Sequence, residues 1–182
     1  MARLYLVRHG RAAAGFDVAD PGLDALGRTQ AEAAAKSLES FGPLPILTSP
    51  LARTRETALP LAKSWMRDPA VERAVAEIPT PAHLNVTTRV PWLRKFMAGS
   101  WRDASPELAE WRESVLSTLR SISENTVIFT HFIAINVAVG HALGDDRVVV
   151  FSPDNCSITI VEADRTGLRL IERGHEAATT VN

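Results

Sequence analysis

Two short apolar runs in this chain each end on a histidine. The run at residues 4–7 leads directly into Arg8 and His9, and the run at residues 126–130 leads into His131. Apolar runs of this length, partly β-branched or aromatic, are typical of fully buried strands. Ligand sites in open α/β sheets lie at the carboxyl ends of such strands. If the two strands are parallel neighbours, both histidines converge on one pocket, which predicts an α/β protein with a site at that edge.

The composition predicts one globular domain over residues 1–182. A chain of 182 residues, 46% hydrophobic and 23% charged, can bury a sizeable core. The formal net charge of -1 gives no electrostatic reason to expect nucleic acid or an anionic membrane as a partner. The single cysteine, Cys156, fits a reducing compartment, and no apolar run reaches the length of a signal-peptide core or a membrane span. We therefore expect a cytoplasmic protein without membrane contact, either a monomer or a homodimer.

Capping and turn residues predict where helices and strands alternate along the chain. Asp24 is expected to cap the first helix, and Ser49 to cap the second, with Pro50 at its first position. Pro60 is expected to kink or interrupt that second helix. The predicted helices run from Asp24 to about residue 40, over residues 51–65 and 88–97, from Ser105 to about residue 122, and over residues 132–143. The predicted strands are residues 4–7, 46–48, 71–75, 126–130, 148–151, 156–161 and 168–171.

Cationic side chains near the two strand ends predict a phosphate pocket. Arg8, His9 and His131 follow the strands, and Arg53 lies about one turn into the second helix. Guanidinium groups match phosphate oxygens bidentately, and backbone N–H groups at helix starts favour anions. Arg53 and Arg55 are two residues apart and cannot face the same way on a helix. We therefore expect one of them in the site and the other in solvent.

Residues 22–29 come close to a second phosphate-binding motif, the P-loop, with Arg28 in place of its lysine. That motif needs a strand directly before it, and here a proline-glycine turn intervenes. We interpret the segment as a helix start with a glycine for close packing. The chain also lacks a His-Glu-x-x-His pattern or an aspartate cluster, so neither a metal nor another cofactor is expected.

Three motifs resemble the histidine phosphatase superfamily, which is also called the phosphoglycerate mutase-like family. They are Leu-Val-Arg-His-Gly at residues 6–10, Ser-Pro-Leu-Ala-Arg-Thr-Arg-Glu-Thr-Ala at residues 49–58, and Thr-His at residues 130–131. The resemblance implies a phosphoglycerate mutase-like fold, a three-layer α/β/α sandwich with a mostly parallel central sheet.

The resemblance also implies a role for each site residue. His9 is phosphorylated during turnover, while Arg8, Arg53 and His131 hold the phosphate. Glu77, in the loop after the third predicted strand, is the proton donor. Such an enzyme is a metal-independent phosphoric monoester hydrolase that needs no cofactor.

Three positions depart from the common family pattern. Gly15 stands where an asparagine is frequent, Ala12 replaces a usual threonine, and Phe132 follows His131 where glycine is common. These differences bear on the substrate more than on the phosphoryl chemistry, and Phe132 is expected to narrow the pocket or to give it an apolar wall. The chain is short for a glycolytic mutase of this family, which favours a phosphatase.

The expected chemistry follows from the charges around the nucleophile. Cations at Arg8 and Arg53 disfavour protonation of His9, so its imidazole should stay neutral and nucleophilic. Protonated Glu77 would then give its proton to the leaving alkoxide and later act as a base toward water. Glu72 lies close in sequence and is the next candidate for the acid.

Several substrate classes remain open at this point. The leading one is a small phosphorylated metabolite, and a phosphohistidine in a partner protein is the second. A covered pocket, with Trp92, Phe96 and Trp101 over it, would favour the metabolite, whereas an open groove would favour the protein. The same residues would also suit a phosphoglycerate mutase-type phosphotransferase or a non-catalytic phosphate-binding module. Binding alone needs neither a nucleophile nor an acid, which argues against a non-catalytic module.

Overall fold

Six strands form the central sheet in the described part of the computed structural model, which comprises residues 1–14, 18 and 20–177. They are β1 (Ala2–Arg8), β2 (Ile46–Thr48), β3 (Ala70–Val71), β4 (Thr126–Thr130), β5 (Ile158–Asp164) and β6 (Gly167–Glu172). The spatial order is β3-β2-β4-β1-β5-β6. The neighbours β3, β2, β4 and β1 are parallel, and β5 and β6 add an antiparallel hairpin at the far edge. The predicted mostly parallel sheet is confirmed.

Five helices cover the two faces of this sheet in the described residues. They are α1 (Ala25–Leu38), α2 (Ala52–Trp65), α3 (Val86–Met97), α4 (Pro106–Ser121) and α5 (Phe132–Leu143). On one face, Val7 and Phe129 of the strands pack with Leu38 of α1 and Leu61 of α2. On the other face, a larger core joins β1 and β4 to α3, α4 and α5. The alternation of side chains along each strand therefore produces the three-layer α/β/α sandwich.

The central strands explain why the site lies where it does. All five residues of β4 are buried, as its uninterrupted apolar run predicts for a strand covered on both faces. β4 lies between β2 and β1 and is parallel to both, so the loops that follow all three strands emerge at one edge. The helices α2 and α5 begin at this same edge.

The predicted strand at residues 148–151 is wrong. The segment is irregular, because the backbone N–H groups of Val150 and Phe151 donate to the buried Oδ1 of Asn136 on α5, at 2.8 and 3.1 Å. A side-chain acceptor thus takes the place of a neighbouring strand.

The predicted strand at residues 71–75 is also largely wrong. Only the two residues of β3 pair with β2, and a 3₁₀ turn follows over Arg73–Val75. The Glu72 carboxylate accepts a hydrogen bond from Ala74 N at 2.9 Å, which caps that turn and ends the extended backbone. The strand expected at residues 156–161 begins later, at Ile158, because Cys156 has a left-handed φ of 58°.

Two expectations about α2 also need correction. Pro60 does not interrupt the helix, which runs through it while its neighbours Ala58 and Leu61 are fully buried against the sheet. Ser49 is not the N-cap, because the helix begins at Ala52 and its cap position is Leu51. The hydroxyl of Ser49 makes other contacts, described below.

No helix in the described part of the chain is long and apolar enough to cross a bilayer.

Candidate active site

The carboxyl ends of β1 and β4 place two histidines side by side. Arg8 is paired with Thr130 in the parallel register, so His9 and His131 leave the two strands at the same level. Their ring centroids are 5.2 Å apart, with the ring planes inclined at 59°. The convergence of the two apolar runs on one pocket is thus present in the fold.

A cavity of about 760 Å³ opens beside these rings. Four of the five side chains singled out from the sequence line it: Arg8, His9, Arg53 and Glu77. His131 lies behind them, fully buried and in contact with Arg53. The structure therefore brings all five together. Arg55 is exposed, so only one of the two competing arginines enters the site, as helical spacing predicts.

The hydrogen bonds of His9 determine which ring nitrogen is free to react. Its Nδ1 lies 2.8 Å from the carbonyl oxygen of Gly10. A carbonyl can only accept, so Nδ1 carries the proton and Nε2 carries the lone pair. Burial lowers the pKa of His9 to about 3, and the positive charges of Arg53 and Arg8 act in the same direction against the Gly10 hydrogen bond. The ring is therefore neutral near physiological pH.

Gly10 sets the backbone that holds this histidine. Its N–H donates to Thr57 Oγ1 at 3.0 Å in a buried contact with α2. A Cβ atom added to Gly10 would lie 2.6 Å from the carbonyl oxygen of Gly27, and one added to Gly27 would lie 2.2 Å from that of Arg11. The strand-end loop and the start of α1 are in backbone contact that only glycine permits. This supports the close-packing interpretation of residues 22–29.

The two arginines approach the cavity from different elements. Arg8 donates from Nη1 to the carbonyl oxygen of Pro153 at 2.8 Å, and its guanidinium lies 5.2 Å from the ring centroid of Phe132. Arg53 donates from Nη2 to His131 Nδ1 at 3.2 Å, and its Nη1 is 4.0 Å from the exposed carboxylate of Asp20. Burial lowers the pKa of both arginines, but a guanidinium remains charged in proteins.

Glu77 reaches the same cavity from the loop after the 3₁₀ turn. Its Oε1 accepts hydrogen bonds from the N–H of Ile78 at 3.1 Å and from the N–H of Ile133, in the first turn of α5, at 3.2 Å. Burial raises the pKa of Glu77, against these hydrogen bonds and the charges of Arg53 and Arg8. Oε2 has only the longer contact with the Ile133 N–H, at 3.5 Å, and is therefore the oxygen better placed to carry a proton. Glu72, the next candidate for the acid, is engaged in capping the 3₁₀ turn.

The remaining walls come from the loop after β1 and from α3. Residues 11–14 and Val18 line the mouth, and they include Ala12, where the family usually has threonine. Arg89, Leu93 and Met97 line the opposite side at helical spacings of four residues. Phe132 does form an apolar wall, whereas Gly15 lies outside the described residues.

The three aromatic residues that were candidates to cover the pocket, Trp92 and Phe96 on α3 and Trp101 after it, do not line the cavity. Trp92 stacks on Phe96 with ring centroids 5.7 Å apart, and Phe96 meets Trp101 edge-on at 5.4 Å. Trp101 is buried in the core and stacks on Trp111 of α4, and the partly buried Trp92 and Phe96 pack against that core. The side chains of α3 that line the cavity are aliphatic or cationic.

Comparison with known families identifies the chain. A family model described as the histidine phosphatase superfamily (branch 1) matches residues 4–175. The chain belongs to this superfamily. The resemblance carried by the three sequence motifs is thereby confirmed, and the protein is a histidine phosphatase by family. A comparison with curated proteins finds no match.

Solved structures of several phosphatases share the fold. A mycobacterial glucosyl-3-phosphoglycerate phosphatase in complex with inorganic phosphate is 20% identical, with a TM-score of 0.72 over 99% of this chain and 100% of that chain. A phosphoserine phosphatase from Entamoeba histolytica in complex with 3-phosphoglyceric acid is 21% identical, with a TM-score of 0.74 over 96% of this chain and 98% of that chain. A histidine-to-alanine mutant of phosphoserine phosphatase from the same organism, in complex with phosphoserine, is 20% identical, with a TM-score of 0.73 over 95% and 96%.

Several side chains around this histidine phosphatase site escaped the sequence reasoning. Ser49 Oγ contacts the His131 ring, Thr54 Oγ1 contacts Ser49 Oγ, and Thr57 Oγ1 accepts from the N–H of Gly10, the residue after His9. The spacing of the threonines beside Arg53 on one helix face was an available signal. Asn155 donates from Nδ2 to the carbonyl oxygen of His9 at 2.8 Å, across 146 residues of chain. Nothing local in the sequence indicates that contact. In the described residues, His, Cys, Asp and Glu form no group of three or more that could hold a metal ion.

Proposed function

We propose that this histidine phosphatase hydrolyses a phosphomonoester of a small metabolite through a phosphohistidine on His9. The observation that carries the proposal is the state of His9. Its Nδ1–H is held by the Gly10 carbonyl oxygen, so the lone pair on Nε2 is available at a cavity that Arg8 and Arg53 also line. A neutral imidazole in that state is a competent nucleophile.

The first step transfers the phosphoryl group to the enzyme. Nε2 of His9 forms a bond to phosphorus as the bond from phosphorus to the leaving oxygen breaks. Arg8 and Arg53 stabilise the negative charge on the equatorial oxygens of the phosphoryl group. Cations that are already held in place need no reorganisation during the reaction. Their partners, the Pro153 carbonyl oxygen and the His131 ring, hold the two guanidinium groups in place.

Glu77 serves both steps as the proton carrier. In its protonated form it gives a proton to the leaving alkoxide, and the resulting carboxylate accepts a proton from the water that attacks the phosphohistidine. The net reaction consumes one water and releases an alcohol and inorganic phosphate, and it restores both side chains. Burial raises the pKa of Glu77, which favours the protonated form that the first step requires.

The cavity supports a small substrate. Its volume of about 760 Å³ falls in the range of small-molecule sites, and α3 and the loop after β1 enclose it on two sides. We call the end of the cavity that is lined by Arg8, His9 and Arg53 the phosphate end. Beyond it, the walls combine the apolar side chains of Leu93, Met97 and Phe132 with the cation of Arg89. Phosphorylated compounds with a short organic part suit such walls. The structurally similar phosphatases were crystallised with compounds of this kind, phosphoserine and 3-phosphoglyceric acid. The free thiol of Cys156 supports action in a reducing compartment such as the cytoplasm.

The test is turnover and trapping without added metal. The enzyme is assayed in the presence of a chelator on p-nitrophenyl phosphate, phosphoserine, 3-phosphoglycerate and a phosphohistidine peptide. We expect hydrolysis of small phosphomonoesters, and mass spectrometry of the acid-labile adduct should locate the phosphate on His9. His9→Ala should abolish turnover without unfolding the protein, since a half-buried strand-end side chain contributes little packing.

His83 provides the matched control, because it lies exposed in a turn outside the cavity. His83→Ala should hydrolyse the same substrates at the wild-type rate. Near wild-type turnover by folded His9→Ala, or phosphate found only on His131, would overturn the nucleophile assignment. Activity confined to the phosphohistidine peptide would overturn the small-metabolite proposal.

A further inference from the structure

Behind the phosphate end of the cavity, three fully buried polar side chains form one chain of hydrogen bonds. His131 Nε2 lies 2.7 Å from Ser49 Oγ, and Ser49 Oγ lies 2.7 Å from Thr54 Oγ1. Thr54 Oγ1 donates in turn to the carbonyl oxygen of Leu51 at 2.8 Å. His131, Ser49 and Thr54 each have 0% of their surface exposed. Nothing in the phosphoryl transfer described above uses the two hydroxyl groups.

The groups at the two ends of this hydroxyl chain determine which atom donates and which accepts in each of its hydrogen bonds. Arg53 can only donate, so His131 Nδ1, 3.2 Å from its Nη2, must accept. A neutral imidazole then carries its single proton on Nε2 and donates to Ser49 Oγ. Ser49 Oγ also accepts from the N–H of Leu51 at 3.2 Å, so its own proton points to Thr54. The proton of Thr54 goes to the Leu51 carbonyl oxygen, and each donor has an acceptor.

We propose that Ser49 and Thr54 are positioning residues that fix His131 in the tautomer with its proton on Nε2. The lone pair on Nδ1 then faces Arg53 and holds its guanidinium toward the phosphate end of the cavity. The inference deepens the proposed function, on which its catalytic consequence rests. The tautomer itself is a property of the folded protein and does not depend on the reaction.

The neutral state that this arrangement requires agrees with the surroundings of His131. Burial lowers its pKa well below the usual value, and the neighbouring ionisable groups act in the same direction: the His9 imidazole, which would repel a second imidazolium, and the guanidinium groups of Arg53 and Arg8. A neutral ring behind two arginines leaves the positive charge of the site on the guanidinium groups. The hydroxyl chain decides where the one remaining imidazole proton resides.

Thr54 is the informative position because it does not touch the imidazole. Without its hydroxyl, the proton of Ser49 loses its acceptor and can turn toward His131 Nε2. The imidazole proton would then reside on Nδ1, facing an Arg53 N–H group. Two donors in contact repel each other, so the guanidinium would shift from its position. A change two side chains away would therefore alter the contact between His131 and Arg53.

The test compares Thr54→Val with a matched control, Thr48→Val. Both threonines are buried, but Thr48 Oγ1, although Thr48 directly precedes Ser49, has no hydrogen-bond partner among the described residues and takes no part in the hydrogen bonds that join His131, Ser49 and Thr54. Nitrogen-15 NMR of histidine-labelled protein reports which nitrogen of His131 is protonated, and kcat and KM are measured in parallel. We expect Nε2–H in the wild type and in Thr48→Val, and a shift of the proton to Nδ1 in Thr54→Val.

In the same comparison, kcat/KM should fall roughly tenfold in Thr54→Val, the scale of one misplaced buried hydrogen bond. Thr54→Ser should restore both the tautomer and the rate, which a purely structural role of the γ-methyl group would not explain. Protonation of His131 on Nδ1 in the wild type would overturn the inference, and that measurement needs no variant to fold. An unchanged tautomer in folded Thr54→Val would overturn it as well. Wild-type protein with the Nε2–H tautomer but no phosphatase activity would refute the proposed function and leave the tautomer assignment standing.

Discussion

Replacement of Glu77 by glutamine tests whether this side chain is the general acid. The amide oxygen of glutamine can still accept hydrogen bonds from the N–H groups of Ile78 and Ile133, which lie 3.1 and 3.2 Å from Oε1. The substitution therefore preserves the position of the side chain and removes only its ability to donate and accept the catalytic proton. General acid catalysis contributes on the order of 10² to 10⁴ in rate. We expect a loss of roughly a hundredfold or more on alkyl phosphates, or about 2.7 kcal/mol in the activation barrier.

The assay compares two substrates whose leaving groups differ in their need for a proton. An alkyl phosphate expels a strongly basic alkoxide that needs a proton, whereas a nitrophenolate leaves well without one. Steady-state rates of Glu77→Gln should therefore fall much less on p-nitrophenyl phosphate than on an alkyl phosphate. Glu72→Gln is the matched control, because the Glu72 carboxylate caps a 3₁₀ turn, and its loss should affect both substrates equally and slightly.

The pH profile is a second readout of the same prediction. Burial raises the pKa of Glu77, so its protonated form persists to higher pH than that of a solvated carboxyl. The wild-type rate on alkyl phosphates should be maintained below this pKa and should fall as the pH rises through it. Glu77→Gln should lack that alkaline fall. An equal and small loss on both substrates, with the alkaline fall retained, would refute the assignment of Glu77 as the acid.

Two further predictions concern the arginines and the glycine contact. Arg53→Ala should lower kcat/KM by about a hundredfold or more, since it removes a charge-assisted phosphate contact. Arg55→Ala, on the exposed side of α2, should change kcat/KM little. Equal losses in the two variants would mean that the other face of α2 lines the site. Gly10→Ala should destabilise the protein by about 1–3 kcal/mol in urea denaturation, because its Cβ would lie 2.6 Å from the Gly27 carbonyl oxygen. Gly167→Ala, where the nearest atom lies at 4.0 Å, should unfold close to the wild-type midpoint, and equal effects at both glycines would contradict the close-contact argument.

Sequence patterns correctly predicted the strands and helices that are determined by residues close together in the sequence. The run that became β4 is apolar throughout because the strand is buried on both faces, and Asp24 caps α1 by accepting from Gly27 N at 2.7 Å, three residues away. The buried side chains of α4, which include Leu108, Val115 and Leu119, likewise lie on a single face of the helix, turned to the core. In each case the residues that set the structure lie within one or two turns of each other.

The predictions that proved wrong concern segments whose structure is set by contacts with distant residues. The segment 148–151 has the apolar, β-branched composition of a strand, but Oδ1 of Asn136 on α5 accepts from the N–H groups of Val150 and Phe151, so no strand partner is needed. Ser49 has the composition of an N-cap, but its hydroxyl bonds to His131, 82 residues away, and the helix begins at Ala52. A side chain that can satisfy its hydrogen bonds in two ways takes the partner that the tertiary fold brings within reach.

By itself, the sequence determined the family and the side chains available for chemistry, because the motifs and the ends of the apolar runs can be recognised within short segments of the chain. Only the tertiary structure decided how these side chains are held. The parallel pairing of β1 with β4 sets the 5.2 Å between the two imidazole rings, and the packing of α2 against that edge sets which hydroxyl groups surround His131. Proton positions and pKa values depend on burial and on charges within a few ångströms, and those distances exist only once distant parts of the chain have packed together.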